Sequence, residues 1–232
     1  SKKMKRIKNV LIFFLAMVML GACRDKKSEK KEEENIQQEN TFVNPLKTEG
    51  AQCWANYYDG WYYYMQEAVD RLELWRTRDI TDLEHAEHKV IWIPKDPSNA
   101  HHLWGPEIHP IAGKWYVYYA ASDDNMDNHQ LFVLENSSAD PFEGEFELKG
   151  RISTDKNNNW AIHPNVFEHR GEWYMTWSGW QSRRVSTEHQ CIYIAKMKNP
   201  WTPTGFYFRS PSSNGNANGS IRMEVKRHIR FM

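Results

Sequence analysis

The sequence predicts an all-β chain of the β-propeller type, with about three four-stranded blades present. Three aromatic hairpin signals recur at a period of about fifty-five residues. Each is followed at a similar offset by a second short apolar strand and a polar turn. No segment of the body carries a long 3.6-residue periodicity. With 232 residues, 40% hydrophobic and 14% aromatic, including 11 Trp and 11 Tyr, the chain can bury a substantial core. Its 12 Gly and 3 Cys exclude collagen-like and disulfide-scaffold classes.

The first triplet comprises residues 57–65 (YYDGWYYYM), 111–119 (IAGKWYVYY) and 168–177 (EHRGEWYMTW). In each, a turn pair ending in glycine (Gly60, Gly113, Gly171) opens a run of aromatic and β-branched residues, which is a hairpin signal. The second triplet comprises residues 71–83 (RLELWRTRDITDL), 129–144 (HQLFVLENSSADPFEG) and 190–203 (QCIYIAKMKNPWTP). Four short strands per repeat make a propeller blade, although hairpins alone also suit two facing sheets.

The zero net charge conceals segregation. Without the basic start, the balanced run at 24–34 and the basic end after Phe208, the body holds 15 cations against 24 anions, a net of −9. An acidic body repels phosphate backbones, so no nucleic-acid partner is expected. Residues 10–20 (VLIFFLAMVML) follow a cationic start and end in Leu20-Gly21-Ala22-Cys23. An apolar run of this length suits the h-region of a secretory signal better than a bilayer span. It resembles a bacterial lipobox, giving a signal peptide over 1–22 and a lipidated Cys23. The charged stretch over 23–42 then reads as a disordered tether on a cell-envelope lipoprotein held to the membrane by that lipid. Cys53 and Cys191 allow at most one disulfide and have no zinc spacing, and the ten His contain no HExxH. Asp123, Asp124 and Asp127 lack an EF-hand pattern and read as a solvated loop. Neither metal nor cofactor is expected.

Six stretches then carry a resemblance: NPLKTEGAQCWANYYDGWYYY, LELWRTRDITDLEHAE, LWGPEIHPIAGKWYVYYAAS, HQLFVLENSSADPFEGEFELKGRI, WAIHPNVFEHRGEWYMTWSGW and IYIAKMKNPWT. Across residues 44–202 the chain resembles glycoside hydrolase family 43, and the arabinofuranosidase-like members look most similar. The resemblance implies a five-bladed propeller acting on arabinose- and xylose-containing polysaccharides by inverting hydrolysis. In that reaction one carboxylate activates water while a carboxylic acid protonates the leaving oxygen.

Carried over position by position, the resemblance puts Gln52 where the family has its general-base Asp, in Gly50-Ala51-Gln52-Cys53-Trp54. It puts His163 where the family has the pKa-modulating Asp, in Ala161-Ile162-His163-Pro164-Asn165. No residue matches the motif of the general-acid Glu. An amide cannot accept a proton near neutral pH. His163 suits either a sugar contact or a proton transfer, or else a strand-end role at the axis. Glu107 and His109 of WGPEIH are expected to shape the pocket, with Glu107 holding His109. Trp54, Trp104 and Trp180 are candidates for stacking on sugar faces, with core packing as the default for tryptophan. The substituted carboxylates leave a non-catalytic carbohydrate-binding protein as the alternative reading.

The propeller-like region spans 43–208. Beyond it, residues 209–232 are low-complexity and then basic. Read two bases out of frame with freely chosen codons, the segment from Phe208 gives a plausible continuation into a fourth blade. A frameshift between about Thr202 and Phe208 is therefore expected, with the blades after the third missing.

Overall fold

A computed structural model describes residues 42–180 and 189–204. The signal, Cys23 and its tether, and the tail after 204, lie outside the described residues.

Twelve strands form three four-stranded antiparallel meanders. Blade 1 holds β1 (Trp54–Tyr58), β2 (Trp61–Met65), β3 (Leu72–Thr77) and β4 (Glu87–Trp92). Blade 2 holds β5 (His101–Ile111), β6 (Lys114–Ser122), β7 (Gln130–Asn136) and β8 (Glu147–Ile152). Blade 3 holds β9 (Ala161–His169), β10 (Glu172–Gly179), β11 (Cys191–Asn199) and β12 (Thr202–Thr204). Within every blade the spatial order is the chain order.

The hairpin signals mark the first turn of each blade. Asp59-Gly60, Ala112-Gly113 and Arg170-Gly171 all have positive φ at both positions, near 50° and then near 80°. That is the type I′ geometry, whose twist matches the flanking strands. It closes the pairs Tyr58↔Trp61, Ile111↔Lys114 and His169↔Glu172.

The blades stack through two apolar interfaces, and β6 faces both. Trp115, Val117, Tyr119 and Ala121 pack toward blade 1 with Tyr63, Met65, Leu72 and Leu74. Their alternates Tyr116, Tyr118 and Ala120 pack toward blade 3 with Val166, Met175 and Trp177. Because successive strand side chains point to opposite faces, a strand sandwiched between two blades must be apolar at every position. β6 reads KWYVYYAAS for that reason. Three sheets with blade 2 interleaved between blades 1 and 3 are not a pair of facing sheets, so the sandwich alternative falls. The first strands gather on one side, where β1 and β9 both pack against β5. Of the site candidates, Trp54, Trp104, Glu107, His109 and His163 lie on these three strands, with Gln52 just before β1 and Trp180 just after β10.

Candidate functional site

One position recurs at the head of the three inner strands. Gln52, Gly105 and His163 each lie eight residues before a hairpin glycine, and each adopts a left-handed backbone, with φ of 47°, 53° and 53°. In β5 and β9 the residue sits in a β-bulge. The inner strand runs three steps from Trp104 to Glu107 while its partner runs two, from Ala120 to Tyr118. The same holds for Ile162 to Asn165 against Ser178 to Thr176. Pro106 and Pro164 follow the left-handed residue, which suits a point where the ladder is broken and no N–H is wanted. The bulge turns the inner strand and aims the side chain at this position toward its neighbours. Glycine adopts this backbone without cost, whereas a glutamine and a histidine hold it under strain of a kind that accumulates at functional sites.

Gly105 is where the three blades meet. A Cβ there would lie 2.9 Å from His163 Nδ1 and 3.6 Å from Gln52 Oε1. The bare glycine thus lets the side chains of blades 1 and 3 approach over blade 2. The two positions that resemble the family's base and modulator are brought together.

Gln52 Nε2 donates to Glu67 Oε2 at 2.6 Å. Its Oε1 is buried with no hydrogen-bond partner among the described residues. Glu67 stands opposite Gln52 across the first hairpin, where its backbone N–H donates to Ala51 O at 3.1 Å. Glu67 is not among the candidates the sequence pointed to. The signal was present in the hairpin, since pairing Trp54 with Met65 sets 52 against 67.

Two residues further along each inner strand stand Trp54, Glu107 and Asn165. Glu107 Oε2 accepts from Asn165 Nδ2 at 2.9 Å, tying blade 2 to blade 3. It also accepts from His109 Nε2 at 3.0 Å. The ring of Trp54 lies against His109 with centroids 5.2 Å apart. The Trp54 indole N–H and the Asn56 amide both donate to Ile108 O, tying blade 1 to blade 2. Glu107 and His109 are therefore clasp residues beneath the Gln52–His163 layer. Asn165 and Asn56 are two further members that the sequence did not single out.

His163 retains solvent access. Burial by the surrounding protein nevertheless lowers its pKa below the ordinary 6.5, against the opposing charges of Glu107 and Glu67. The shift favours the neutral imidazole, which has one nitrogen able to accept a proton.

The remaining tryptophans sort differently. Trp104 is half-buried and stacks on His129 at 4.1 Å. Trp180 is a correction to the sequence expectation. It is 6% exposed and stacks on Trp160 at 4.0 Å, so its faces belong to the core between blades 2 and 3. The end of β10 looks alike in sequence whether it opens to solvent or is covered. A cleft of about 530 Å³ lies away from the hub and is lined by Asn99, Asp123, Arg151, Asn158 and Trp160 among others. Among the described residues no three His, Cys, Asp or Glu side chains converge to hold a metal ion.

The model of Glycosyl hydrolases family 43 matches residues 28–216. The chain belongs to this family. It is 36% identical over 169 residues to an extracellular exo-α-(1→5)-L-arabinofuranosidase of Streptomyces chartreusis, covering 71% of this chain and 51% of that protein. It is 33% identical over 153 residues to the α-L-arabinofuranosidase 43 of Humicola insolens, covering 63% of this chain and 31% of that protein. The crystal structure of an α-L-arabinofuranosidase from Lactobacillus brevis superposes with a TM-score of 0.63 at 30% identity, over 71% of this chain and 54% of that one. A family 43 β-xylosidase/α-arabinofuranosidase from a compost metagenome, at 20% identity and a TM-score of 0.55, shares the fold. The chain thus spans about half the length of the S. chartreusis protein and less of the H. insolens one. Its three radial sheets are propeller blades of family 43 type.

Proposed function

We propose that this family 43 protein hydrolyses arabinofuranosyl linkages in arabinose- or xylose-containing polysaccharides, with inversion, at the hub where Gln52, Gly105 and His163 meet. The observation that carries the reading is the approach of Gln52 and His163 over Gly105. These are the two positions that resemble the family's base and modulator. Glu107 and His109 hold the floor of the site, and Trp54 and Trp104 offer half-buried aromatic surface beside it. The protein acts at the bacterial envelope, anchored to the membrane through a lipid on Cys23. The printed names of the relatives, one an extracellular arabinofuranosidase, support a location outside the cytoplasm.

A second reading has an observation of its own. Gln52 is an amide, so a site that binds the same glycans without cleaving them needs no carboxylate at that position. Incubating the protein with arabinan and arabinoxylan separates the two. Release of arabinose supports hydrolysis. Saturable binding without product supports the binder, and neither binding nor release removes both.

A further inference from the structure

Resting on the hydrolase reading, we propose that Glu67 is the carboxylate that takes the proton of the attacking water, with Gln52 as its positioning residue. An inverting reaction needs a group that accepts a proton at neutral pH, and the amide of Gln52 does not. The carboxylate nearest to that amide is one hydrogen bond away, since Gln52 Nε2 lies 2.6 Å from Glu67 Oε2. The bond fixes one oxygen of Glu67 and leaves the other for water.

The repeat shows that blade construction does not require a charge here. Glu67 lies fifteen residues after Gln52, and the matching positions after Gly105 and His163 are Ala120 and Ser178. Ala120 is 0% exposed and Ser178 is 8% exposed, both small and packed. Only blade 1 carries a carboxylate at this point, and it is the same blade whose hub position carries an amide. No Lys or Arg pairs with Glu67 among the described residues, and its side chain is only half-buried. Its charge nevertheless reaches His163 across the hub. A carboxylate held by an uncharged amide, and not neutralised by a cation, keeps its capacity to accept a proton.

A lone pair of water forms the new bond to the anomeric carbon as the bond to the leaving oxygen breaks, with its electron pair passing to that oxygen. The water proton passes to Glu67. A 4-nitrophenolate leaves without needing a proton, so a 4-nitrophenyl arabinofuranoside isolates the water-activating group from any general acid.

The test uses the full chain with 4-nitrophenyl α-L-arabinofuranoside and the variants Glu67→Gln, Gln52→Asp and the two combined. Glu67→Gln is expected to lower kcat about a hundredfold or more with KM little changed, the usual weight of a positioned base. Sodium azide, a nucleophile with no proton to lose, is expected to restore turnover to Glu67→Gln and to yield the glycosyl azide of inverted configuration. The combined variant is expected to regain activity, because a carboxylate at 52 replaces the one removed. Wild-type kcat in Glu67→Gln overturns the inference, as does loss that azide does not restore. Activity in Gln52→Asp with none in the wild type removes the hydrolase reading of this chain along with the inference, whereas wild-type kcat in Glu67→Gln removes the inference alone. No turnover in any of the four proteins removes both.

Discussion

Blade 2 and blade 3 are built on the same plan, with a type I′ hairpin eight residues after a left-handed hub position, yet their strands bury differently. In β7, the third strand of blade 2, Leu131 to Leu134 are all buried. In β11 burial alternates: Ala195 and Met197 are 3% and 5% exposed, while Ile192 and Ile194 are 77% and 50% exposed. Tyr193, Ala195 and Met197 of β11 join the blade 2–blade 3 core, and the even-numbered side chains are exposed. A blade with a neighbour on each side must be apolar throughout, whereas blade 3, with one neighbouring blade among the described residues, needs only alternate positions. Two exposed isoleucines on one strand form an apolar patch of the kind that invites association. Residues of one repeat therefore cannot be assigned a role from their counterparts in another without asking what lies on each face.

The largest effect expected from this contrast is at Tyr118. Its ring is fully buried and its hydroxyl donates to Pro200 O at 2.7 Å, joining blade 2 to the far side of blade 3. Tyr118→Ala should cost about 3–5 kcal/mol in denaturant unfolding. A cost below ~1 kcal/mol would show that the interface is not packed as described.

Glu135 gives the next largest. It accepts from Lys114 Nζ at 2.9 Å and from the Tyr116 hydroxyl at 2.7 Å, with Lys149 Nζ at 3.6 Å. Burial raises its pKa, but the bonds from Lys114 and Tyr116 and the two lysine charges outweigh this, leaving it below the ordinary carboxylate value. A depressed carboxylate stabilises the fold above its unfolded pKa, and that contribution fades as pH falls through the folded one. Glu135→Gln should cost about 1.5–3 kcal/mol at pH 7. It should also flatten the fall in stability toward acid, measured by unfolding at a series of pH values.

His163 has the opposite chemistry. Its folded pKa lies below 6.5, so the unfolded chain binds more protons between the two values and stability rises with pH across that window. His163→Asn should remove this slope just below pH 6.5 and leave stability at pH 8 nearly unchanged. An unaltered slope would place the imidazole in open solvent. The smallest effect belongs to the open face: Ile194→Ser should change stability by no more than about 0.5 kcal/mol while reducing self-association in light scattering.

Much of the fold was legible because the turn residues are punctual. Gly60, Gly113 and Gly171 need positive φ, so their spacing gives the blade count directly. Gln52 and His163 were legible through the resemblance of their flanking residues, and the structure adds that both stand at the same offset from those glycines. Gly105 was hidden because its contribution is the absence of a side chain. Glu67 was hidden because it lies just past the second strand, where a charge after a run of tyrosines looks like a loop residue. Trp180 was misjudged for want of information on what covers the end of β10. In each case the missing term was the opposing surface, which depends on contacts between residues far apart in the chain.

The central claim is that the hub around Gly105 is the glycan site. It is tested most directly by following the imidazole signals of isotope-labelled histidines as arabinotriose is added. The account predicts saturable movement of the His163 ring signals, with those of His85, exposed and paired to Asp82 on blade 1, unmoved. Saturable binding that leaves His163 unmoved would contradict it, and shifts confined to residues of the cleft around Asn99 and Arg151 would place the sugar there instead.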